Sequence, residues 1–398
     1  MDWTLPPAAL NGLLGGLQAA QLAQRDALHA LGLAPDSHGQ PAWPFESRIA
    51  GEMLAMDAGH ARRVVISAAC LALAGLALAV SLGWRRARPG LWLLALAALL
   101  LAPWPPSGLL FAPATPTSFH ASPSGFSAQG IVRGQALYAQ HCLRCHGADG
   151  RGEGPDAPGL VMWPPTLNGS LLWKRLEGEL FWRVRHGMRG RNGQPTMPGA
   201  DPLLSDAQVW EMLDFLQAQA AGQTLKESAA WAYPVRLPDG PVRCLRGNRP
   251  TARSLAGQRL RVVVPPAGAS ASATTAPADD PRLVTLRMRL PGQPANGANP
   301  ECEMAGAAPA TALSLVLGVP PENLPGYQLM VDRQGWLRAV GKPGQAGWSE
   351  DDLVCRAAAA PGPASAAPSA DGLDGLIRRM DAEPVRLLRG GFAHQGDS

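Results

Sequence analysis

Cys142-Leu143-Arg144-Cys145-His146 is a C-x-x-C-H pentapeptide, and no other feature constrains this chain as much. Two thiols at that spacing can add to the two vinyl groups of one haem, and the adjacent histidine then reaches the iron from one side. A segment carrying such a group must fold around it. Competing chemistries ask for residues that the sequence lacks. A four-ligand zinc site needs a second Cys/His pair at ligand spacing. A thioredoxin-type C-x-x-C opens a helix after a strand and has no use for the histidine. The motif therefore predicts one covalent haem c, attached at Cys142 and Cys145, with His146 as proximal iron ligand.

The flanks extend this reading. Ile131 to His146 reads IVRGQALYAQHCLRCH, with Ile131, Leu137 and Tyr138 on one helical face and Gly134 open to another backbone. A glycine- and proline-rich loop follows from Gly147 to Gly159. A second amphipathic helix is predicted from about Asp206 to Ala221, opened by a Ser205/Gln208 capping box and packing through Trp210, Leu213, Phe215 and Leu216. In this order the motifs resemble the class I c-type cytochromes, whose terminal helices cross at a glycine and an aromatic. Gly134, Tyr138 and Phe215 stand at those places. The resemblance spans about Ser127 to Gln223 and implies an all-α cytochrome c domain that transfers electrons.

Met162, Met188, Met197 and Met212 are candidates for the sixth iron ligand, since a thioether raises the potential. Met212 lies inside the second helix, and Met162 is close to the attachment. Met188 follows His186-Gly187. Met197 precedes Pro198 just before the capped helix, and the resemblance assigns it as the axial ligand; His186 is the nitrogen alternative. The same resemblance implies that Pro165 offers its carbonyl to the His146 ring N–H, a bond that orients the ligand.

Haem attachment of this type is made in an oxidising, extracytoplasmic compartment, so the chain needs a route across a membrane. Met1 to Leu33 lacks the basic start of a signal peptide. Val64 to Trp84 is 21 residues without a charge, long enough to span a bilayer. Pro89 to about Phe111 is predicted as a second span. The connection Arg85-Arg86-Ala87-Arg88-Pro89-Gly90 carries three positive charges and no acid, and short basic loops stay cytoplasmic. The expectation is a two-helix anchor over 64–111 in a bacterial inner membrane, with the haem and everything after it in the periplasm.

The 398 residues suit a multi-domain chain. Residues 1–60 show a helical pattern and then a Pro-rich stretch, without chemistry of their own. Residues 112–127, APATPTSFHASPSGFS, read as a semi-extended tether. The cytochrome segment 128–223 holds nine basic and nine acidic residues, and no block of like charge points to nucleic acid. Arg183, Arg185, Arg189 and Arg191 form either a solvated face or a patch that steers an acidic redox partner.

Residues 231–358 read as a separate α/β domain, followed by a segment at 359–398. Strands are predicted at Arg259–Val264, Arg282–Leu290 and Tyr327–Val331, the last turning through Asp332-Arg333-Gln334-Gly335 into Trp336–Val340. Helices are predicted at Thr311–Val319 and Glu350–Ala358, the second capped by Ser349 with Asp352. With Leu324-Pro325 before the hairpin, the order resembles the thioredoxin-like fold in degenerate form. Where that fold carries C-x-x-C, Val262-Val263-Val264 runs into PPAGASASATTAPADD. Cys244, Cys302 and Cys355 allow one disulfide, Cys302 with either partner.

Taken whole, the arrangement is similar to the cytochrome portion attached to copper-resistance D-type membrane proteins, on Pro116–Phe119, Gly134–His146 and Phe181–Gly187. It carries no Met-rich or His-rich copper tract. Two functions are open. One is an electron carrier, not itself an enzyme, serving an oxidase or dehydrogenase. The other is a redox or copper-handling maturation factor that uses the tail, with the haem as electron inlet. The missing C-x-x-C in the tail favours the carrier.

Overall fold

The computed structural model describes residues 7–51, 58–169, 173, 175–231, 233–245, 247–266, 280–293, 301–345, 347–355, 372–385, 387–388 and 391–392. The chain divides into one unit that ends at Pro116 and a second that runs from Thr117 to Leu387.

In the first unit, helix α1 (Pro7–Ala30) is followed by two short ladders. These pair β1 (Asp36–Ser37) with β2 (Gln40–Pro41), and β3 (Ser47–Ile49) with β4 (Phe111–Pro113). Gln21 of α1 ties helix to ladder by accepting the Ile49 N–H at 2.8 Å. Helix α2 (Ala58–Gly83) and helix α3 (Arg88–Leu101) form a hairpin. Ala74, Ala77, Ala95 and Ala98 are buried in it, while Leu71, Leu76, Leu93 and Leu100 are exposed. That is the inverse of a water-soluble helix pair, which turns its leucines inward. Arg88 closes the turn, its Nε donating to the Ser81 carbonyl at 2.9 Å.

Among the described residues, Arg62–Gly83 is the one helix long and apolar enough to cross a membrane, by length and composition. The second expected span is shorter than its sequence suggested. The prolines after Leu101 stop α3 at 14 residues, and Phe111 already belongs to β4. At 1.5 Å per residue α3 rises about 21 Å, against about 30 Å for a hydrocarbon core.

The second unit opens with a finding the composition hid. Thr117, Ser118, Phe119 and His120, expected in a free tether, are buried. The Thr117 hydroxyl donates to the Gly178 carbonyl at 2.6 Å, and a Cβ on Gly178 would fall on the Thr117 carbonyl. Helix α4 (Ala128–His141) and the single turn α5 (Leu143–His146) replace the continuous helix expected to His146, with the break at Cys142. Helix α6 (Glu177–His186) and helix α7 (Asp206–Ser228) complete the helical part. Helix α4 crosses α7 at Gly134, where a Cβ would strike the Glu211 carbonyl. Tyr138 meets Phe215 at 5.3 Å, and Phe181 stacks on Trp210 at 4.6 Å.

The capping box of Ser205 and Gln208 forms as read, but α7 continues past Ala221. Its small residues Ala218, Ala220, Ala221 and Gly222 are buried. They admit helix α8 (Ala307–Leu317), and a Cβ on Gly222 would fall on the Leu315 carbonyl. Through α8 the helical part packs onto a six-stranded sheet of order β12-β11-β8-β9-β10-β7. Its strands are β7 (Val242–Cys244), β8 (Arg259–Val263), β9 (Leu283–Arg289), β10 (Cys302–Ala305), β11 (Gln328–Val331) and β12 (Leu337–Gly341). β8, β9 and β10 run parallel; β7, β11 and β12 are antiparallel to their neighbours. Helix α9 (Gly372–Ala382) packs Leu376, Ile377 and Met380 against Met330 and Ala339. Of the helix expected at Glu350–Ala358, the described residues form only the turn Glu350–Asp352, capped by Ser349; residues 356–358 lie outside the described part. A disulfide joins Cys244 to Cys302 across β7 and β10, and Cys355 is a buried thiol.

Candidate haem site

The pentapeptide sits where α4 ends, and the loop after it is fastened to both crossing helices. Tyr138 of α4 donates its hydroxyl to the Gly147 carbonyl at 2.6 Å. Gln219 of α7 donates to the Ala148 carbonyl at 2.5 Å, and Asn168 to that of Asp149 at 2.8 Å. Gly154 lies so close to the Arg144 and Cys145 backbone that a Cβ there would overlap it. These contacts hold the motif through its backbone, while the Arg144 side chain is tied to Asp156 at 2.7 and 2.8 Å.

Cys142 and Cys145 are free, half-buried thiols. Cys142 Sγ lies 3.4 Å from Met212 Sδ, and burial, with Cys145 beside it, pushes the Cys142 thiol up to about 11. His146 is half-buried, and burial lowers its pKa, favouring the neutral imidazole that ligates metals. Its Nδ1 is buried without a hydrogen-bond partner. The bond to the Pro165 carbonyl, expected from the resemblance, is therefore not formed here. Pro165 is exposed, and the neighbouring Pro164 carbonyl faces Gly152.

Beyond the loop after the motif, α6 ends at Gly187, whose φ of +75° suits glycine, and the chain enters a hairpin. Strand β5 (Met188–Arg189) pairs with β6 (Pro195–Met197), and Met188 stands opposite Met197. Arg185, read from sequence as part of a surface cluster, works inside this loop. Its guanidinium pairs with Asp201 and Asp206, each at 3.1 Å, and donates to the Leu204 carbonyl. It thereby ties the hairpin's exit to the start of α7. Arg189 and Arg191 are exposed. His186 is also exposed and lies against Trp182, with ring centroids 3.8 Å apart and planes tilted by 43°. Met212 is buried in the core beside Cys142, and Met162 is 51% exposed.

The residues fit a haem. Leu160, Val161, Met162, Trp163, Met188 and Leu203 are exposed, all between the motif and α7; Leu245 is the other large apolar side chain so exposed among the described residues of this unit. Large apolar side chains gathered exposed in this part of the chain mark a place to be covered. Thiols, a neutral imidazole and thioethers supply the donor set of a c-type centre. Sequence reasoning missed Trp163 and Leu203, although the run Leu160-Val161-Met162-Trp163 inside a Gly/Pro-rich loop was a usable signal.

Residues 129–216 match the family model described as cytochrome C oxidase, cbb3-type, subunit III. A thiosulfate dehydrogenase of Allochromatium vinosum is 39% identical over 94 residues, which cover 21% of this chain and 30% of that protein. The cytochrome bc1 complex cytochrome c subunit of Mycobacterium tuberculosis is 29% identical over 153 residues, 38% of this chain and 47% of that protein. The chain thus spans less than half the length of these curated relatives. A chain of the Kuenenia stuttgartiensis reducing HAO-like protein complex is similar at 18% identity and a TM-score of 0.21, covering 31% of this chain and 59% of that one; so low a score carries no argument. Motif, helix crossing and relatives together define a c-type cytochrome domain. It binds haem c covalently and belongs to electron transfer.

Proposed function

We propose that the protein is a one-electron carrier held at the periplasmic face of a bacterial inner membrane, its haem joined to Cys142 and Cys145 and ligated by His146 and Met197. The observation that carries this is the pair of free thiols beside a half-buried histidine whose Nδ1 has no hydrogen-bond partner, set among apolar loops that still face solvent. The bound haem supplies the ferric/ferrous couple. His146 orients it, and the loops from Leu160 and around Leu203 exclude water from it. The alanine-in, leucine-out packing of α2 against α3 supports membrane residence, because helices in lipid bring small residues together. The arginines at 85–88 support a cytoplasmic turn. The partner on this reading is an oxidase or dehydrogenase; a relative named for the bc1 complex supports a respiratory one.

A parallel strand pair flanked by the β11–β12 hairpin supports the thioredoxin-like reading of the tail. The maturation-factor alternative needs an accessible thiol there. Cys355 is buried, with its thiol pushed up to about 11, chiefly by burial. We therefore place the tail in structure or docking. A redox titration with the absorption spectrum tests the carrier reading: one reversible one-electron wave with low-spin ferric and ferrous spectra is expected, and a high-spin, ligand-binding haem would overturn it. Topology is tested with a membrane-impermeant thiol reagent on spheroplasts. Gln129→Cys should label and Ala87→Cys should not; the opposite pattern would reverse the orientation.

A further inference from the structure

We infer that Met188 is a second thioether within reach of the iron, a reserve for the sixth position that Met197 fills. This rests on the Met197 reading above. The observation is the register of the hairpin, in which Met188 and Met197 are directly opposed partners of an antiparallel pair and the register shifts only after Met188, toward the Arg189–Pro195 pair. Residues so opposed project to the same face, with Cβ atoms about 5 Å apart. A hairpin that turns one thioether to the iron therefore carries the other on the same side.

Three further features hold the pair together. A Cβ on Gly187 would crowd the Met197 carbonyl and the Gly199 nitrogen, so the two strands touch through backbone just before Met188. The Thr196 hydroxyl donates to the Met188 carbonyl at 3.3 Å. Past Met197 the chain is tied to the last turn of α6, with Ala200 N–H on the Val184 carbonyl at 2.8 Å and Asp201 N–H on that of Arg185 at 3.1 Å. Neither methionine is locked into the core, for Met197 is half-buried and Met188 is 39% exposed. Methionine's three rotatable bonds let either side chain search several ångströms without moving the backbone. The other two candidates lack this placement: Met212 is packed beside Cys142, and Met162 is outside the hairpin.

The test uses the haem-loaded full chain in four forms: unaltered, Met188→Ala, Met197→Ala and the double variant. The readouts are the weak charge-transfer absorption of a ferric haem–thioether bond and the affinity for added imidazole. Met188→Ala should keep the band unchanged. Met197→Ala should keep a weakened band, and only the double variant should lose it. Imidazole should bind Met197→Ala about tenfold more weakly than it binds the double variant, because a resident ligand that occupies the site nine-tenths of the time lowers apparent affinity by that factor. If Met197→Ala matches the double variant in both readouts, the reserve role is wrong and Met197 stands alone. If Met188→Ala loses the band while Met197→Ala keeps it in full, the Met197 assignment itself fails. Should the alanine variants lose haem, Met197→Leu with and without Met188→Leu gives the same comparison without a cavity.

Discussion

The helical part around the haem motif and the six-stranded sheet beside it fill their interiors in opposite ways. The sheet hides nearly all its large apolar side chains and takes arginines inside. Arg261 and Arg338 are among its largest fully buried residues. Arg338 donates to the Asp332 carboxylate at 3.5 Å and to the carbonyls of Met380 and Glu383 at 3.1 and 2.6 Å, closing the end of α9. The helical part leaves Val161 and Leu203 each 70% exposed, and Trp163 56%. A body that completes its own core can spend buried polar groups on joining its elements. A body completed by a cofactor leaves apolar surface for it.

Removing the attachment strikes the helical part hardest. Cys142→Ser with Cys145→Ser should abolish covalent haem, seen as loss of haem staining on a denaturing gel. It should also leave the apolar loops open, raising the binding of a hydrophobic dye. The sheet answers to a different change. Arg338→Ala leaves Asp332 buried without its cation and should cost about 3–5 kcal/mol in denaturant unfolding. The haem spectrum of the folded fraction should stay as it was. A spectral change in that variant would break the comparison, since the tail would then shape the haem's surroundings.

Sequence made the chemistry legible where it is local. The thiols and histidine of 142–146 form one helical turn, and the boxes at Ser205/Gln208 and Ser349/Asp352 need only four residues each. Strands β8, β9, β11 and β12 are legible to within about one residue, because short runs of aliphatic and β-branched residues between turn signals mark them. Illegible parts depend on backbone approaching backbone. Thr117–His120 read as tether because Pro, Ser and Thr signal extension, yet Gly178 lets that segment bury. The alanines after Gln217 read as the end of the second helix, while their small size is what admits α8. Strands β7 and β10 have three and four residues and are not legible in the sequence; their antiparallel pairing sets Cys244 opposite Cys302, where the disulfide forms. The distal hairpin is equally short, so sequence could rank Met188 and Met197 but not pair them.

Asp214 gives the next largest effect and tests whether the buried linker belongs to the helical part. It lies on α7, accepts the Ser124 hydroxyl, and has Glu177, Glu211 and Arg253 around it. Burial pushes its pKa from 3.8 to about 7, against the opposing pull of the Ser124 bond. A carboxyl with a raised folded pKa holds its proton better when folded. Its contribution is full below the unfolded pKa and is lost as pH rises between about 4 and 7, by at most about 4 kcal/mol. Stability measured at pH 5 and pH 8 should therefore fall with pH, and Asp214→Asn should flatten that fall. An unchanged slope in the variant would show that Asp214 is solvated and that the Ser122–Ser124 stretch is loose after all.

The smallest effect separates charge from packing at the α4–α7 crossing. Arg133 and Glu211 form a bidentate pair across it, with Nη2 to Oε1 at 2.6 Å and Nε at 3.1 Å from both carboxylate oxygens. The arginine side chain is 52% exposed, so water and salt screen the pair, and its loss should cost less than about 1 kcal/mol. One position along, Gly134 meets the Glu211 carbonyl itself, and a methyl there must part the helices. Overpacking of that kind costs about 1–3 kcal/mol. Arg133→Gln should thus barely move the unfolding midpoint and should lose even that effect in high salt. Gly134→Ala should lower the midpoint at any salt concentration and disturb the haem absorption, because Tyr138 and Cys142 lie further along the same helix. If Arg133→Gln proved the costlier of the two at high salt, the crossing would be held by charge, and the helical part would resemble the sheet with its internal arginines more than it differs from it.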